Sequence, residues 1–415
     1  MSLDFNWEPI GNYVDTISGF AFKSKDFIDD GVPVIKIKNI VPPDVVLEDT
    51  QYVSDTFLIE KSNYVLTKGD ILITLTGSNV NQMASAVGQV AKISFDEPCL
   101  LNQRVAKLIP KDTSKCNIDY FYYILSTEEM HYNLASRASG SANQANINPT
   151  IIKSMEALVP PIEIQNKIVT ILKTIDDKIN INKEINKNLL KLSKTLFKEF
   201  YMDKVESYAV KKYVTLDDVT SKFATGLNPR KNFVLGEGDN YYVTIKNMAN
   251  NSIVLDDKCA SITDEALVKI NKRSDLQVGD LLFSGIGTIG RVHLIDEKPT
   301  NWNISESVFT MRPNELVSSE FLFIMLLSQE VQEYAKSLAS GSVQKGIRMR
   351  DLKAFEFILL NDEDKSHLDS LLIPIISDMK INEKEIRELT KLRDALLPKL
   401  MSGEIDVSKI NCDLE

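Results

Sequence analysis

Short apolar runs separated by turn residues occupy most of each half of the chain. Runs of this kind, bounded by Gly, Asp and Asn, predict β-strands. They lie at 34–40, 71–75, 242–248, 281–283 and 291–295. A longer stretch with aromatic and leucine residues at helical spacing follows in each half, at 119–138 and 319–338. The pattern predicts two compact α+β globules of about 150 residues each, a common domain size.

The last quarter of each half has apolar residues at steps of three and four, which form the a/d seam of a coiled coil. Lysines dominate the outer face of the first helix and glutamates that of the second, so we expect the two helices to pair with each other. The seam positions are Ile168, Leu172, Ile175, Ile179, Asn182, Leu189 and Leu196, then Leu368, Leu372, Ile375, Met379, Asn382, Ile386, Leu389 and Leu396.

Each seam contains an asparagine near its middle, Asn182 and Asn382. A polar seam residue lowers stability but specifies helix register. If the helices run over about 163–200 and 363–400 and pair antiparallel, their midpoints coincide and Asn182 faces Asn382. The alternative is that both are exposed asparagines in lysine-rich helices.

The predicted helices are long enough to act as a spacer. About 38 residues span about 57 Å at 1.5 Å per residue, which exceeds the roughly 34–36 Å of one turn of B-DNA. Two globules attached to such a pair would be held at a set distance. Pro374 lies inside the second stripe and removes a helix hydrogen bond, so the helix either kinks there or its straight part begins near that point.

The two halves of the chain repeat each other. Lys191-Leu192 recurs 200 positions later as Lys391-Leu392, and many seam residues recur at the same offset. Upstream the repeat continues with small shifts, as in Lys68-Gly69-Asp70 and Val278-Gly279-Asp280. Because each copy is about half of the chain, two copies of one large module describe it better than a solenoid.

Composition places the chain among ordinary globular proteins, with 43% apolar and 26% charged residues. No stretch approaches the roughly 18 apolar residues of a membrane span, and the start lacks the pattern of a signal peptide. The four cysteines are scattered singly, which favours neither disulfides nor a zinc site. We expect a cytoplasmic protein without a membrane partner. The net charge of −10 argues against a nucleic-acid binder unless positive loops are segregated or partners help.

Motifs for catalysis are missing from the sequence. Residues 285–290 read GxGxxG, but the strand-like 291–295 follows instead of a helix, so we interpret them as a glycine-rich hairpin and not as a dinucleotide site. There is no GxxxxGK[ST] phosphate loop, and the three histidines lack metal-ligand spacing. We therefore expect no enzymatic activity in this chain.

Polar loops stand at equivalent places in the two modules but differ in content. Asn, Gln, Arg and Lys side chains suit base edges, whereas Ser, Thr and backbone N–H groups suit phosphates. Any one loop could equally be a solvated turn. A duplicated module that kept its core and changed its loops nevertheless favours two readers of two different short sequences.

At this point the sequence resembles the specificity subunit of a type I restriction–modification system over nearly its whole length. The chain departs from the family pattern at Leu359-Leu360-Asn361-Asp362-Glu363, which replaces a double-proline lead-in, and at Pro374. The resemblance is carried by Gly19-Phe20-Ala21-Phe22-Lys23-Ser24, Val34-Ile35-Lys36-Ile37-Lys38-Asn39-Ile40, Val159-Pro160-Pro161-Ile162-Glu163-Ile164-Gln165, Gly279-Asp280-Leu281-Leu282, Gly287-Thr288-Ile289-Gly290-Arg291 and Leu396-Leu397-Pro398-Lys399-Leu400-Met401-Ser402-Gly403-Glu404-Ile405.

The resemblance implies an α+β fold with two similar target-recognition domains joined by two long helices in an antiparallel coiled coil, with an internal pseudo-twofold repeat. Its domains would be recognition domains at 1–160 and 206–360, spacer helices at 161–205 and 361–403, and a tail at 404–415. Each recognition domain would read one half of a split target in double-stranded DNA. Two methyltransferase subunits would dock on the helices, with restriction/translocase subunits added for host defence. S-adenosylmethionine, ATP and Mg would belong to those partners, which would also neutralise phosphate charge.

We therefore predict a non-catalytic DNA-recognition subunit; the alternative is a coiled-coil scaffold protein with two ligand-binding globules and no DNA. Lys38 and Lys246 could equally be solvated lysines at strand ends. Arg291→Ala is expected to weaken DNA binding with loss of preference at one half-site. The candidate DNA contacts are Lys36, Lys38, Asn39, Asn79, Gln82, Asn143 and Gln144 in the first module, and Lys246, Asn247, Thr288, Arg291, Gln344, Lys345 and Arg348 in the second.

Overall fold

The computed structural model describes residues 6–141, 144–249, 251–256, 259–339, 346–408 and 410. The chain divides into two compact units, which we call unit 1 (1–178 and 389–415) and unit 2 (179–388). Each long helix contributes to both units, because the division falls inside both helices. The domain boundaries given above stay a sequence-based prediction, since the compact units are composed differently.

The first half of the chain is built from short strands, four short helices and one long helix. The strands are β1 (Asn6–Pro9), β2 (Val14–Ser18), β3 (Phe27–Ile28), β4 (Val32–Ile35), β5 (Ile40–Val41), β6 (Asp44–Val45), β7 (Gln51–Val53), β8 (Val65–Leu66), β9 (Ile71–Thr74), β10 (Thr76–Gly77), β11 (Val90–Lys92), β12 (Cys99–Leu101), β13 (Val105–Pro110), β14 (Ser139–Ser141), β15 (Gln144–Asn146) and β16 (Glu156–Val159). The helices are α1 (Thr56–Glu60), α2 (Ile118–Ser126), α3 (Glu128–Ser136), α4 (Pro149–Lys153) and the long α5 (Ile162–Ser207).

The second half repeats this plan. Its strands are β17 (Tyr213–Thr215), β18 (Thr220–Thr225), β19 (Asn240–Val243), β20 (Met248–Ala249), β21 (Ser252–Ile253), β22 (Ala260–Ile262), β23 (Leu281–Ser284), β24 (Val292–Leu294), β25 (Trp302–Ile304), β26 (Val308–Pro313) and β27 (Glu356–Ile358). Its helices are α6 (Asp264–Ser274), α7 (Ser319–Leu326), α8 (Gln329–Ser337), α9 (Met349–Lys353) and the long α10 (Asp362–Met401).

The two units share the strand order of the first four strands of the main sheet and of three strands of the second sheet, and unit 1 has additional strands in both. The main sheet runs β2-β13-β9-β11-β6-β5 in unit 1 and β18-β26-β23-β24 in unit 2. A second sheet, β3-β7-β4-β12-β8 or β22-β19-β25, contains the parallel pair β4·β12 or β19·β25. The strand that precedes each long helix pairs with the first strand of its half, as β1·β16 and β17·β27. The internal repeat found in the sequence is therefore a repeat of topology.

The repeated Gly-Asp motif is a turn that starts the central strand of each main sheet. Gly69 and Gly279 have φ of 91° and 88°, a region that glycine enters without steric cost. Asp70 accepts a hydrogen bond from the Thr67 backbone N–H at 2.9 Å, and Asp280 accepts one from Gln277 at the same distance. The motif is thus structural in both copies.

Two predicted strands end earlier than the apolar runs indicated. Runs 34–40 and 242–248 stop being strand after Ile35 and Val243, where 3₁₀ turns follow at Ile37–Asn39 and Ile245–Asn247. The cause is a polar side chain at the end of each turn, which accepts hydrogen bonds from the turn's own backbone. The predicted strand extensions were wrong for this reason.

Each helix predicted at 119–138 and 319–338 is in fact two helices. Thr127 separates α2 from α3 and caps α3 by accepting the Met130 N–H at 3.3 Å. Ser328 does the same for α8 with the Val331 N–H at 3.4 Å. Ser and Thr favour such N-cap positions because their oxygens satisfy the free N–H groups of a first turn.

The core of each unit joins the globule to the long helices. In unit 1 the fully buried Tyr120 and Phe121 of α2 share a cluster with Ile168 of α5 and Leu400 of α10. In unit 2 Phe321 of α7 shares a cluster with residues of the same two helices, Phe197, Tyr201, Leu368 and Leu372. Each fully buried large apolar side chain contributes about 1.5–3 kcal/mol of transfer free energy. Within each unit the beginning of one long helix packs beside the end of the other, so the predicted antiparallel pairing and α+β class are confirmed.

The asparagine register differs from the prediction. Asn182 is 1% exposed and donates to Glu385 Oε2 at 2.7 Å, whereas Asn382 donates to Asn186 Oδ1 at 2.8 Å. Both lie between the helices, but they do not face each other. The prediction assumed equal helices that end near 200 and 400, whereas α5 continues to Ser207 and α10 ends at Met401.

The second long helix begins without a proline pair because Asn361 caps it. Asn361 Oδ1 accepts the Asp364 N–H at 2.8 Å, and the Asn361 amide donates to the Asp364 carboxylate at 2.9 Å. The helix continues through Pro374, whose side chain is exposed. Pro374 therefore does not end the helix, and a kink or the beginning of the straight part at this residue stays a prediction.

Among the described residues, no helix is both long enough and apolar enough to cross a membrane.

Candidate nucleic-acid interface

Asn39 and Asn247 end the 3₁₀ turns that follow the central parallel strands, and they serve the fold. The Asn39 side chain is fully buried; its Oδ1 accepts the Lys36 N–H at 3.0 Å and its amide donates to the Val46 carbonyl at 3.0 Å. Asn247 is 7% exposed and accepts the Thr244 N–H at 3.0 Å. These hydrogen bonds hold the turns, so both asparagines have a structural role, and their contact with DNA stays a prediction.

The lysines of the same turns have different surroundings. Lys36 contacts Gln51 and lies 4.0 Å from the centroid of the Phe27 ring. Burial, followed by the positive charge of Lys38, lowers the pKa of Lys36. Lys38 donates to the Asp49 carbonyl but is exposed, and Lys246 is exposed at the equivalent place in unit 2. Lys38 and Lys246 therefore present positive charge on the surface of their turns.

Arg291 holds the turn of unit 2 in place. Its Nη1 donates to the carbonyls of Ile245 and Met248 at 2.7 and 2.5 Å. Two residues along the same strand, His293 Nδ1 lies 2.8 Å from the Asn251 carbonyl, which is an acceptor, so we assign the ring proton to Nδ1. Arg291 thus positions the segment that carries Lys246.

The glycine-rich loop before Arg291 is a hairpin, as predicted. β23 and β24 pair antiparallel on either side of it, and Gly287 and Gly290 have φ of 82° and 92°. Ser284 Oγ donates to the Thr288 carbonyl at 2.6 Å, while the Thr288 side chain is exposed at the tip. The loop therefore presents a short polar tip and leaves no helix N-terminus behind it for a pyrophosphate.

A polar cluster on a small sheet in unit 1 contains three residues that the sequence did not single out, Thr76, Arg104 and Asn146. Thr76 Oγ1 donates to Asn146 Oδ1 at 3.0 Å where β10 pairs with β15. The exposed Arg104 places its Nη1 3.5 Å from Thr76 Oγ1 and 3.4 Å from Asn146 Oδ1. The predicted Gln144 is exposed on the same strand. The position of Arg104 in a turn between two apolar runs was the available signal.

The other predicted contacts are spread over several loops. Asn79 begins the short helical segment Val80–Ser85 and accepts the Asn81 N–H at 3.0 Å, and Gln82 in that segment is exposed. Arg348 is exposed at the start of α9. Asn143, Gln344 and Lys345 lie outside the described residues.

Equivalent backbone positions carry unlike side chains in the two units. The Leu75 N–H bonds the Arg104 carbonyl in unit 1, and the Gly285 N–H bonds the Ser307 carbonyl in unit 2, both at 2.9 Å. The pair Thr76 and Asn146 is likewise replaced by Ile286 and Gly346, which form the corresponding β-bridge. The same scaffold thus presents an Arg-Thr-Asn cluster in one unit and Ser, Ile and Gly in the other.

The sequence matches the family described as the type I restriction modification DNA specificity domain over residues 6–191 and 210–391. The chain therefore belongs to this family and contains two copies of its domain. Membership gives the chain the DNA-recognition role and not a catalytic one, as the sequence predicted.

Relatives of similar length agree with this assignment. The chain is 24% identical to the MjaIX specificity subunit of Methanocaldococcus jannaschii over 94% of this chain and 90% of that protein. It is 23% identical to the EcoBI specificity subunit of Escherichia coli over 98% and 87% of the two chains. The crystal structure of the S subunit of a type I system from M. genitalium has the same fold, with a TM-score of 0.54, 16% identity and 96% of both chains covered.

Proposed function

We propose that each unit reads one half of a split target in double-stranded DNA. The observation that carries this proposal is the unlike side chains at equivalent positions, Arg104 against Ser307 and Thr76 against Ile286. A shared backbone with different polar groups is what two readers of different base sequences require. Arginine and asparagine are suited to bidentate contacts with guanine and adenine.

The net charge of −10 is consistent with this role if partner subunits supply much of the phosphate neutralisation. On this proposal S-adenosylmethionine, ATP and Mg belong to the methyltransferase and translocase partners. The recognition chain then contributes base contacts and geometry.

The test compares base preference in the two half-sites for the chain assembled with its methyltransferase subunits. Arg104→Ala is expected to relax preference by about tenfold to a hundredfold at one position of one half-site, the usual value of a bidentate base contact. Ser307→Ala is the matched control at the equivalent position. Equal loss on all sequences would make Arg104 a phosphate contact, and loss in both half-sites would contradict reading by separate units.

We further propose that the long helices dock two methyltransferase subunits at equivalent surfaces. Ile181 and Ile381 are 54% and 62% exposed, and Leu192 and Leu392 are 46% and 48% exposed. Exposed apolar side chains at equivalent positions of the two helices are expected where each helix binds a copy of the same partner. Restriction/translocase subunits would join the complex formed by these contacts.

Native mass spectrometry of the assembled complex tests the stoichiometry. Ile181→Glu and Ile381→Glu should each remove one methyltransferase subunit, and the double variant should remove both. Glu184→Gln, a change at an exposed position of the same helix, is the control. Loss of both subunits from a single variant would contradict two equivalent docking surfaces.

A further inference from the structure

The duplication gives the long helices an alternative partner. Because Leu172 and Leu372, and likewise Leu196 and Leu396, occupy equivalent positions, the apolar seam of α5 resembles that of α10. In a second copy of the chain each helix would find its own duplicate with the same stripe. An apolar seam alone therefore cannot decide whether a half pairs with the other half or with a copy of itself.

Unit 1 contains a polar triad that breaks this equivalence. Asp176 of α5 accepts the Tyr123 hydroxyl at 2.7 Å on one oxygen and Arg393 Nη1 of α10 at 3.1 Å on the other. The side chains of Asp176 and Arg393 are only 24% and 21% exposed. The ion pair is thus largely withdrawn from water, so the loss of Arg393 leaves the Asp176 carboxylate without this cation. Arg393 also donates to the exposed Asp394 of its own helix at 2.9 and 2.8 Å.

The equivalent positions of unit 2 are all different in chemistry. Asp176 and Arg393 correspond at the offset of 200 to Ile376 and Ser193. Tyr123 corresponds to Ile324, because the equivalent helix caps Thr127 and Ser328 differ by 201 positions. Ile324, Ile376 and Ser193 are buried, with exposures of 0%, 1% and 0%, and the two isoleucines belong to the apolar core of unit 2. Hydroxyl, carboxylate and guanidinium are therefore replaced together.

Pairing of like with like would separate the charged groups. A first half paired with another first half would place Ser193 where Arg393 stands, and Asp176 would lose its cation. A second half paired with another second half would place Arg393 against Ile376 and Ile324, where it would keep only the exposed carboxylate of Asp394. The first arrangement leaves the largely buried Asp176 carboxylate without its cation, and the second places a guanidinium against apolar side chains; both are unfavourable.

The asparagines of unit 2 set the register but not the choice of partner. In the observed register Asn182 meets Glu385 and Asn186 meets Asn382. At the offset of 200, a pair of first halves would still set Asn182 against Asn186, and a pair of second halves would still set Asn382 against Glu385. The asparagine contacts therefore fix the register of the helices but do not distinguish mixed from like pairs.

We propose that the Tyr123–Asp176–Arg393 triad makes each half of this chain pair with the other half in preference to the same half of a second copy. The surface formed by these residues fits one partner, the non-identical half. The duplicated chain thereby keeps two different recognition units on one scaffold.

The test uses the full chain with a protease site inserted after Val210, which is 87% exposed in the segment between α5 and β17. The folded protein is cleaved and equilibrated, and native mass spectrometry counts mixed pairs and like pairs of the two fragments. The cleaved protein without further substitutions should give mixed pairs at least tenfold above the statistical share. The triple variant Tyr123→Ile, Asp176→Ile, Arg393→Ser, which copies the unit 2 residues into unit 1, should approach the statistical share.

Three further variants keep the test decisive. Asp176→Arg alone should reduce the mixed pairs, and Asp176→Arg with Arg393→Asp should restore them, because the reversed pair is complementary again. Glu184→Ile with Lys187→Ser removes an exposed ion pair of the same helix and should leave the excess of mixed pairs unchanged. An unchanged excess in the triple variant, or a statistical mixture in the original sequence, would overturn the proposal.

Discussion

Asn382 donates its side-chain amide to Asn186 Oδ1 at 2.8 Å, one helical turn away from Asn182. Asn186 in turn donates to the Met379 carbonyl at 2.9 Å. The contact joins α5 and α10 through a small polar network inside unit 2. A polar pair in an otherwise apolar seam lowers stability and selects one register.

We therefore predict that Asn186→Leu with Asn382→Leu raises the thermal unfolding temperature by a few degrees. Replacing both partners removes two desolvated amides and adds apolar contact. Asn382→Leu alone should lower the free energy of unfolding by about 1 kcal/mol, because Asn186 Oδ1 then loses its donor. Differential scanning calorimetry distinguishes the two cases. A double variant that is less stable than the single one would show that the pair stabilises the helices.

A second prediction concerns Arg291, whose Nη1 donates to the Ile245 and Met248 carbonyls. Arg291→Ala should lower the free energy of unfolding by about 1–3 kcal/mol, since both carbonyls lose a donor. DNA preference should fall only in the half-site read by unit 2, because the turn carrying Lys246 loses its support. Chemical unfolding and binding to variant half-sites measure the two effects.

Lys246→Ala tests whether the turn held by Arg291 contacts DNA through the Lys246 side chain. Its side chain is exposed, so stability should stay within about 0.5 kcal/mol. If Lys246 contacts a phosphate, binding should weaken about equally on all sequences and the salt dependence should decrease. Unchanged stability in Arg291→Ala would contradict the positioning role and favour direct DNA contact.

The sequence predicted the features that depend on periodic or repeated patterns. The long helices, their antiparallel pairing and the repeated module follow from apolar steps of three and four and from the offset of 200. Helix register was missed, because it depends on contacts such as Arg393 with Asp176 that join residues 217 positions apart. A seam pattern states which face is apolar but not which residues meet.

Site residues were harder to predict, because a buried asparagine and an exposed one look alike in a sequence. Asn39 has the composition of a base contact, yet its hydrogen bonds all serve the turn. Arg104 and Asn146 were missed since folding brings them together across 42 positions. Equivalence between the two copies, read from backbone hydrogen bonds, was needed to identify the cluster.

A third prediction concerns a buried ion pair in unit 2. Arg312 Nε donates to Asp280 Oδ1 at 2.7 Å and its Nη2 to Oδ2 at 3.0 Å, and the Asp280 side chain is fully buried. Arg312→Met should lower the free energy of unfolding by about 3–5 kcal/mol, because a buried carboxylate loses its cation. Urea unfolding measures the change.

Lys222→Met is the matched control for that variant. Lys222 pairs at 3.4 Å with Asp275, whose side chain is 56% exposed. Its loss should cost less than about 1 kcal/mol, as for other solvent-accessible ion pairs. Equal losses in the two variants would mean that burial of Asp280 does not set the energy of its pair.

The last prediction concerns pH and His293. Burial, followed by the nearby charge of Lys380, lowers the pKa of His293 in the folded chain to about 3, against about 6.5 in an unfolded chain. Between these values the unfolded chain binds more protons, so the contribution of neutral His293 is complete above about pH 6.5 and is lost as the pH falls. At pH 5 the loss amounts to about 2 kcal/mol, from about 1.4 kcal/mol per pH unit.

His293→Asn keeps an N–H donor for the Asn251 carbonyl but cannot titrate, so the stability of this variant should fall less steeply between pH 7 and pH 5. Urea unfolding midpoints at several pH values test this, with the exposed His367→Asn expected to keep the slope of the original chain. Equal slopes in the original chain and His293→Asn would show that His293 does not cause the loss.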